Sequence, residues 1–247
     1  MERRKIKLTI QYNGSRFHGW AAQPGLPTIQ GTIEEAFEKL CGQKVEVVGS
    51  SRTDAGVHAL GQVAHAVLAD CPVPTANLQK ALNRLLPEDI AVAAVEEVPD
   101  SFDAVSDTRS KRYRYTIHNG SIRPVLEIHR CWHYPYPLDI EAMQRAAERL
   151  LGTRDFKSFA SAGDQRLSSV RTVTLCRVQS DPPWITLDIA ADGFLYNMVR
   201  NIVGTLVEIG RGRWRPEDMD RILEAKDRAA AGPIAPPAGL CLMEIFY

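Results

Sequence analysis

No stretch of this sequence is long and apolar enough for a signal peptide or a membrane span. Met1-Glu2-Arg3-Arg4-Lys5 leads straight into the alternating Ile6-Lys7-Leu8-Thr9-Ile10-Gln11-Tyr12. A cytoplasmic protein is the expectation. An excess of either charge is also missing, since 30 basic side chains meet 30 acidic ones. The totals therefore do not advertise a polyanionic partner, and only local clusters can. Cysteine is sparse: Cys41, Cys71, Cys131, Cys176 and Cys241 are odd in number, widely spread and free of any Cys-x-x-Cys pair. That argues against a disulfide framework and against a zinc ribbon. His129-Arg130-Cys131-Trp132-His133 puts three metal-ligating residues, His129, Cys131 and His133, on one face of an extended segment. No carboxylate or second cluster accompanies them, so no metal is expected. Nucleotide-binding motifs are lacking as well, and no cofactor is expected.

What is present is a chain of 247 residues, 45% hydrophobic, enough for one large domain or two small ones. Its centre is Ser50-Ser51-Arg52-Thr53-Asp54-Ala55-Gly56-Val57-His58-Ala59, where a carboxylate stands between cations among small residues. Val45-Glu46-Val47-Val48 reads as a strand before it and Gln62 to Leu68 as a strand after it. The decad is then a loop between strands, with Gly49 and Gly56 free to turn sharply and Asp54 near the tip. A loop carried on rigid elements suits a reacting group.

Around that loop, residues 6 to 12 alternate as a first strand, and Phe17-His18-Gly19-Trp20 begins an irregular aromatic loop prolonged by Pro24, Gly25 and Pro27. Thr28 caps a helix whose apolar positions Ile29, Ile33, Ala36, Phe37 and Leu40 keep helical spacing to Gly42. A second helix is expected from Thr75 to Leu86, stopped by Pro87, and then a strand from Ile90 to Val98. Strand, helix, strand, strand, helix, strand is the plan of a ferredoxin-like unit, with both helices on one face of an antiparallel sheet and the other face free for a partner.

The second half passes through Thr108-Arg109-Ser110-Lys111-Arg112-Tyr113-Arg114-Tyr115-Thr116-Ile117, a basic strand interleaved with aromatics. Alternation sends Lys111, Tyr113, Tyr115 and Ile117 to one face, and Arg112 and Arg114 to the other. A helix is expected from Asp139 to Leu151, with strands at Val170 to Val178 and Trp184 to Ile189 and a loop around Gly163-Asp164-Gln165. Asp192-Gly193-Phe194-Leu195-Tyr196-Asn197-Met198-Val199-Arg200 opens an apolar helix in which Arg200 stands deep in the pattern. A buried arginine there either reaches solvent or meets an anion. Arg211, Arg213 and Arg215 make a basic turn, Pro216 starts a last helix, and a final strand runs to Tyr247. Helices and strands alternate in both halves, and the boundary is expected near Pro99-Asp100. Residues 1–99 then form an N-terminal half with the central loop, and residues 100–247 a C-terminal half.

Arg52-Thr53-Asp54-Ala55-Gly56-Val57-His58-Ala59 resembles the signature of the TruA family of tRNA pseudouridine synthases. Further matching segments are Tyr12-Asn13-Gly14, Gly19-Trp20, Thr28-Ile29-Gln30, Lys111-x-Tyr113-x-Tyr115, Gly193-Phe194-Leu195 with Met198-Val199-Arg200, and the Gly239-Leu240 close. The resemblance runs from Tyr12 to Tyr247. It implies an α+β pseudouridine synthase fold of two fused ferredoxin-like (RRM-like) halves with side-by-side antiparallel sheets, a basic cleft between them, and a homodimer. It implies Asp54 as the catalytic aspartate, Arg200 as its partner, Tyr113 against the target base, and a tRNA substrate modified in the anticodon stem-loop around positions 38 to 40. Leu240 falls among the substrate-binding positions. Arg52 is the other cation near Asp54, and the arginines from Arg109 to Arg114, Arg112 and Arg114 among them, and from Arg211 to Arg215 are expected to hold phosphates. Two positions depart from the pattern: Val105 stands where the family commonly has arginine, and Arg154 where it usually has histidine. Both imply a changed grip on the tRNA arm.

The chemistry implied is an isomerisation. The bond between ribose C1′ and uracil N1 breaks, the base turns, and a bond to C5 forms. No redox or group-carrying cofactor is required, but a nucleophile is. Two rivals compete. A non-catalytic RNA-binding module would use the open sheet, but the aromatic RNP strand motif is missing. A glycosidase normally needs two flanking carboxylates, and the central motif offers one.

Overall fold

The computed structural model describes residues 3–164 and 166–247. They fall into two compact units, Met1–Arg109 with Leu242–Tyr247, and Ser110–Cys241. The fold is mixed α+β.

In the first unit the strands are β1 (Arg3–Tyr12), β2 (Val47–Gly49), β3 (His58–Ala69) and β4 (Ile90–Val98), with helices α1 (Ile29–Cys41) and α2 (Thr75–Leu85). The sheet order is β4-β1-β3, with β2 also antiparallel to β3. Alternation in β1 buries Ile6, Leu8 and Ile10 completely, alongside Ile33 and Phe37 of α1 and Leu78 and Leu82 of α2. α1 begins where Thr28 accepts the Gly31 amide at 3.3 Å and ends at Gly42 with φ 70°. β3 starts four residues earlier than its apolar run suggests, so His58 and Ala59 belong to the strand and the central loop is shorter by two residues. The opposite face of this sheet is partly covered. His65, paired in register with Lys7, accepts the Ala104 amide at 3.0 Å and meets the edge of Phe102, with ring centroids 6.3 Å apart. Cys41 and Cys71 form a disulfide, against the expectation from their spacing, because the end of α1 and the second residue after β3 come together.

In the second unit β5 (Ser110–His118), β9 (Trp184–Ala191), β8 (Val170–Asp181) and β7 (Gly152–Asp155) follow one another across an antiparallel sheet, and the short β6 (Trp132–His133) lies parallel to β5. Its helices are α3 (Ile140–Glu148), α4 (Met198–Gly210) and α5 (Asp218–Ala225). α4 is buried on nearly every side. It begins at Met198, six residues later than Asp192, where the sequence pattern starts. Asn197 adopts φ 60° and breaks the helical path, and the Tyr196 amide goes to the Asp164 carboxylate at 2.5 Å instead of to a helical carbonyl. Arg200 therefore lies in the first turn of α4, not deep inside it. Of the expected loop around Gly163-Asp164-Gln165, Gln165 lies outside the described residues. No helix among the described residues is long and apolar enough to cross a membrane.

Candidate active site

The loop between β2 and β3 is held from below by one buried side chain. Gln62, fully buried, accepts the Ser51 amide through Oε1 at 3.2 Å and donates through Nε2 to the Ser51 carbonyl at 2.6 Å. An amide side chain here does the work of a neighbouring strand, satisfying both backbone groups of Ser51. Ser50 is tied in turn to the Val63 carbonyl at 2.8 Å. Thr53 is clamped next: its hydroxyl lies 2.7 Å from the Tyr12 hydroxyl, and its carbonyl accepts the Trp20 amide at 3.0 Å. The aromatic loop after β1 presses against this site closely. A Cβ at Gly19, where φ is 93°, would lie 2.7 Å from the Thr53 carbonyl oxygen, so glycine is required there. Asp54 follows the clamped threonine. Its carbonyl closes the turn by accepting the Val57 amide at 3.1 Å, and its side chain is half-buried. Arg52 is exposed.

In the second unit Tyr113 is buried in β5, and its ring meets Phe194 edge-on at 5.1 Å between centroids. Tyr115 donates to the Pro236 carbonyl at 2.7 Å, and burial pushes its hydroxyl far above the ordinary tyrosine range. Lys111 is pulled down to about 8, first by burial and then by Arg166. Arg112 is half-buried. Arg114 makes a two-pronged pair with Asp188, at 3.0 and 2.9 Å, set by the register that places the two opposite each other on β5 and β9. Leu240 is buried at the start of the last strand, β10 (Leu240–Phe246). Arg211 and Arg213 both reach the buried Glu208 carboxylate, at 3.3 and 3.0 Å. Arg109 and Arg154 are exposed, as is Val105.

Arg200 is half-buried and oriented by two neutral acceptors. Its Nε donates to the Ala235 carbonyl at 2.8 Å and its Nη1 to the Asn197 side-chain oxygen at 2.9 Å. The reading of the sequence missed Gln62 and Asn197. Nothing marks Gln62 locally except a polar residue at the head of an apolar run, and Asn197 reads as one more residue of a helix.

A family model described as tRNA pseudouridine synthase matches residues 8–106 and 146–247. The chain belongs to that family. It is 46% identical over 244 residues to the tRNA pseudouridine synthase A of Acetivibrio thermocellus, covering 99% of this chain and 100% of that protein. The synthase of the same name from Caldicellulosiruptor bescii is 45% identical over 244 residues, with the same coverage. That of Rhodopseudomonas palustris is 43% identical over 246 residues, covering 98% of each. The match takes in the Asp54 loop, Arg200 and the final strand, and it leaves out residues 107–145, where Tyr113 lies.

Proposed function

We propose that this protein is an isomerase that converts uridine to pseudouridine in tRNA, with Asp54 as the nucleophile. Full-length similarity to tRNA pseudouridine synthases supports the activity, and one structural observation supports the residue. Asp54 follows a threonine locked by Tyr12 and Trp20, in a loop footed on buried Gln62. A carboxylate so carried has little freedom to retreat, as a group that must form a bond requires. A neighbouring cation favours the ionised form even where water is scarce. Arg200 takes that role in this reading, with Arg52 as the second cation.

Substrate and product are isomers, so no atom enters or leaves overall. Asp54 forms a bond to the nucleoside, the C1′–N1 bond breaks, the base turns, C1′ joins C5, the bond to Asp54 breaks and frees the carboxylate, and the C5 proton is lost as N1 is protonated. The target base must leave its stack to be reached, and the aromatic face of Tyr113 receives it. Leu240 lines the same substrate region, and Arg112 and Arg114 serve the RNA strand, Arg114 with its charge shared by Asp188. The anticodon stem-loop around positions 38 to 40 is the target, and a cytoplasmic homodimer is the working form. The strand order in the first unit, with β2 beside β3 and β4 beside β1, supports a ferredoxin-like reading of that unit.

The test is incubation of the pure protein with unmodified tRNA, followed by mapping of pseudouridine. The wild type is expected to modify the anticodon arm, and Asp54→Asn to bind tRNA without turnover. Activity of Asp54→Asn within about tenfold of wild type, where loss of a nucleophile costs far more, removes Asp54 from the mechanism. Sedimentation of the protein alone reads the dimer.

A further inference from the structure

Arg200 occupies a place that a cation ordinarily avoids. It is the third residue of α4, in the turn where backbone N–H groups point outward and the helix dipole presents its positive end. No acidic side chain stands in that turn. The residue before the helix is equally out of character. An asparagine flanking a helix N-terminus usually accepts a backbone amide of the first turn, but Asn197 makes no such bond. It is held in the left-handed region, φ 60° and ψ 10°, which glycine would adopt with less strain. The side chain is employed elsewhere. Its Oδ1 accepts from Arg200 Nη1 at 2.9 Å and its Nδ2 donates to Ser161 Oγ at 3.2 Å. Local rules broken together in this way mark a functional site more often than an accident.

The carboxamide is itself fixed from behind. Ser161 Oγ also accepts from Asn201 Nδ2 at 3.2 Å, and the Ser161 amide donates to the Tyr196 carbonyl at 3.0 Å. Asn201 is fully buried. It donates to the Phe159 carbonyl at 2.8 Å and accepts from Arg228 Nη2 at 2.9 Å. A rotated Asn197 amide would set its Nδ2 donors against the Arg200 guanidinium, donor facing donor, so one orientation is enforced.

We propose that Asn197, backed by Ser161, is a positioning residue for the reaction: it sets the plane of the Arg200 guanidinium through Nη1 while the Ala235 carbonyl sets it through Nε. Both acceptors are neutral. They aim the cation without cancelling its charge, as a carboxylate in either place would. The inference rests on the reading of Arg200 as the cation that serves Asp54. It adds that the service depends on an amide that touches neither substrate nor nucleophile.

The experiment uses Asn197→Gly, which suits the positive φ and deletes only the amide, in steady-state assays on tRNA. A misplacement of about 1 Å can cost on the order of 100-fold. The kcat of Asn197→Gly is therefore expected to fall by about 10- to 100-fold with KM little changed, and the acid limb of its pH–rate profile to move upward. Ser161→Ala, which leaves the Asn197 backbone alone, is expected to lower kcat in the same direction and carries the test if the glycine variant does not fold. Because the effect passes through Arg200, adding Asn197→Gly to Arg200→Lys is expected to cost little more than Arg200→Lys alone. A kcat for Asn197→Gly within about twofold of wild type, where positioning effects are far larger, overturns the proposal. So do losses that simply multiply in the double variant. A wild type that forms no pseudouridine refutes the functional reading itself, which keeps the two failures apart.

Discussion

Gly204→Ala should disrupt the second unit from a position with no chemistry of its own. Gly204 lies inside α4 against the segment 231–236, and a Cβ added there would stand 1.6 Å from the Pro233 carbonyl oxygen. An ordinary carbon–oxygen contact is about 3.3 Å or more, so the segment must retreat. Three bonds tie it to α4. Gly232 donates to Thr205 Oγ1 at 2.9 Å, Ala235 donates to the Arg200 carbonyl at 3.1 Å, and the Ala235 carbonyl accepts from Arg200 Nε at 2.8 Å. The two neutral bonds are worth about 1 kcal/mol each and the charged one about 2. Alanine returns about 1 kcal/mol by its better helix propensity. A net loss of about 3 kcal/mol follows, the upper end of what overpacking a core costs. Urea unfolding reads the stability, and pseudouridine formation reads the consequence of freeing one side of the Arg200 guanidinium. A Gly204→Ala protein as stable as wild type, or more so, shows that the segment yields freely and that Ala235 is no fixed anchor.

Arg114→Ala is expected to destabilise more than Asp188→Ala, because the Asp188 side chain is 9% exposed and the Arg114 side chain 41%, so only the arginine can turn to water when its partner is lost. Equal losses in chemical denaturation refute the asymmetry. Lys111 ionises near 8 in the folded protein and near 10.4 unfolded, so its burial penalty acts in full below about pH 8 and is relieved as pH rises from about 8 to 10.4. Stability of wild type relative to Lys111→Met should accordingly rise between pH 7 and 10, and a constant difference contradicts the assignment. Arg109→Ala should reduce the salt slope of tRNA binding by about one phosphate contact, whereas Arg213→Ala should change it less because Glu208, shared with Arg211, already pairs with that guanidinium. The reverse ranking places the RNA strand elsewhere.

The elements legible in the sequence are those whose determinants are close together in the chain. α1 is bracketed by Thr28 and Gly42, and β4 runs from Ile90 to Val98, where the strand is expected. The start of α4 was not legible for the opposite reason. Phe194 and Leu195 continue a helical apolar pattern, and what interrupts it is a carboxylate 32 residues away, Asp164, taking the Tyr196 amide. The Cys41–Cys71 pair, 30 residues apart, and the Arg114–Asp188 pair, 74 apart, depend likewise on packing and register that no local spacing encodes.

The same division separates the residues proposed to react from those that support them. Asp54 and Arg200 stand out in the sequence because each violates an expectation in its own segment, a carboxylate among cations and a cation in an apolar run. Gln62 and Asn197 violate nothing until the chain is folded. Gln62 then proves to replace a strand partner for Ser51, and Asn197 forgoes its cap to hold an arginine. Such supports are amides for a physical reason. An amide offers donor and acceptor at once and adds no charge, so it can lock a loop or aim a guanidinium without altering the electrostatics that the reaction depends on. A carboxylate in place of Asn197 would keep the geometry and cancel the cation, while an apolar residue would keep the charge and lose its direction.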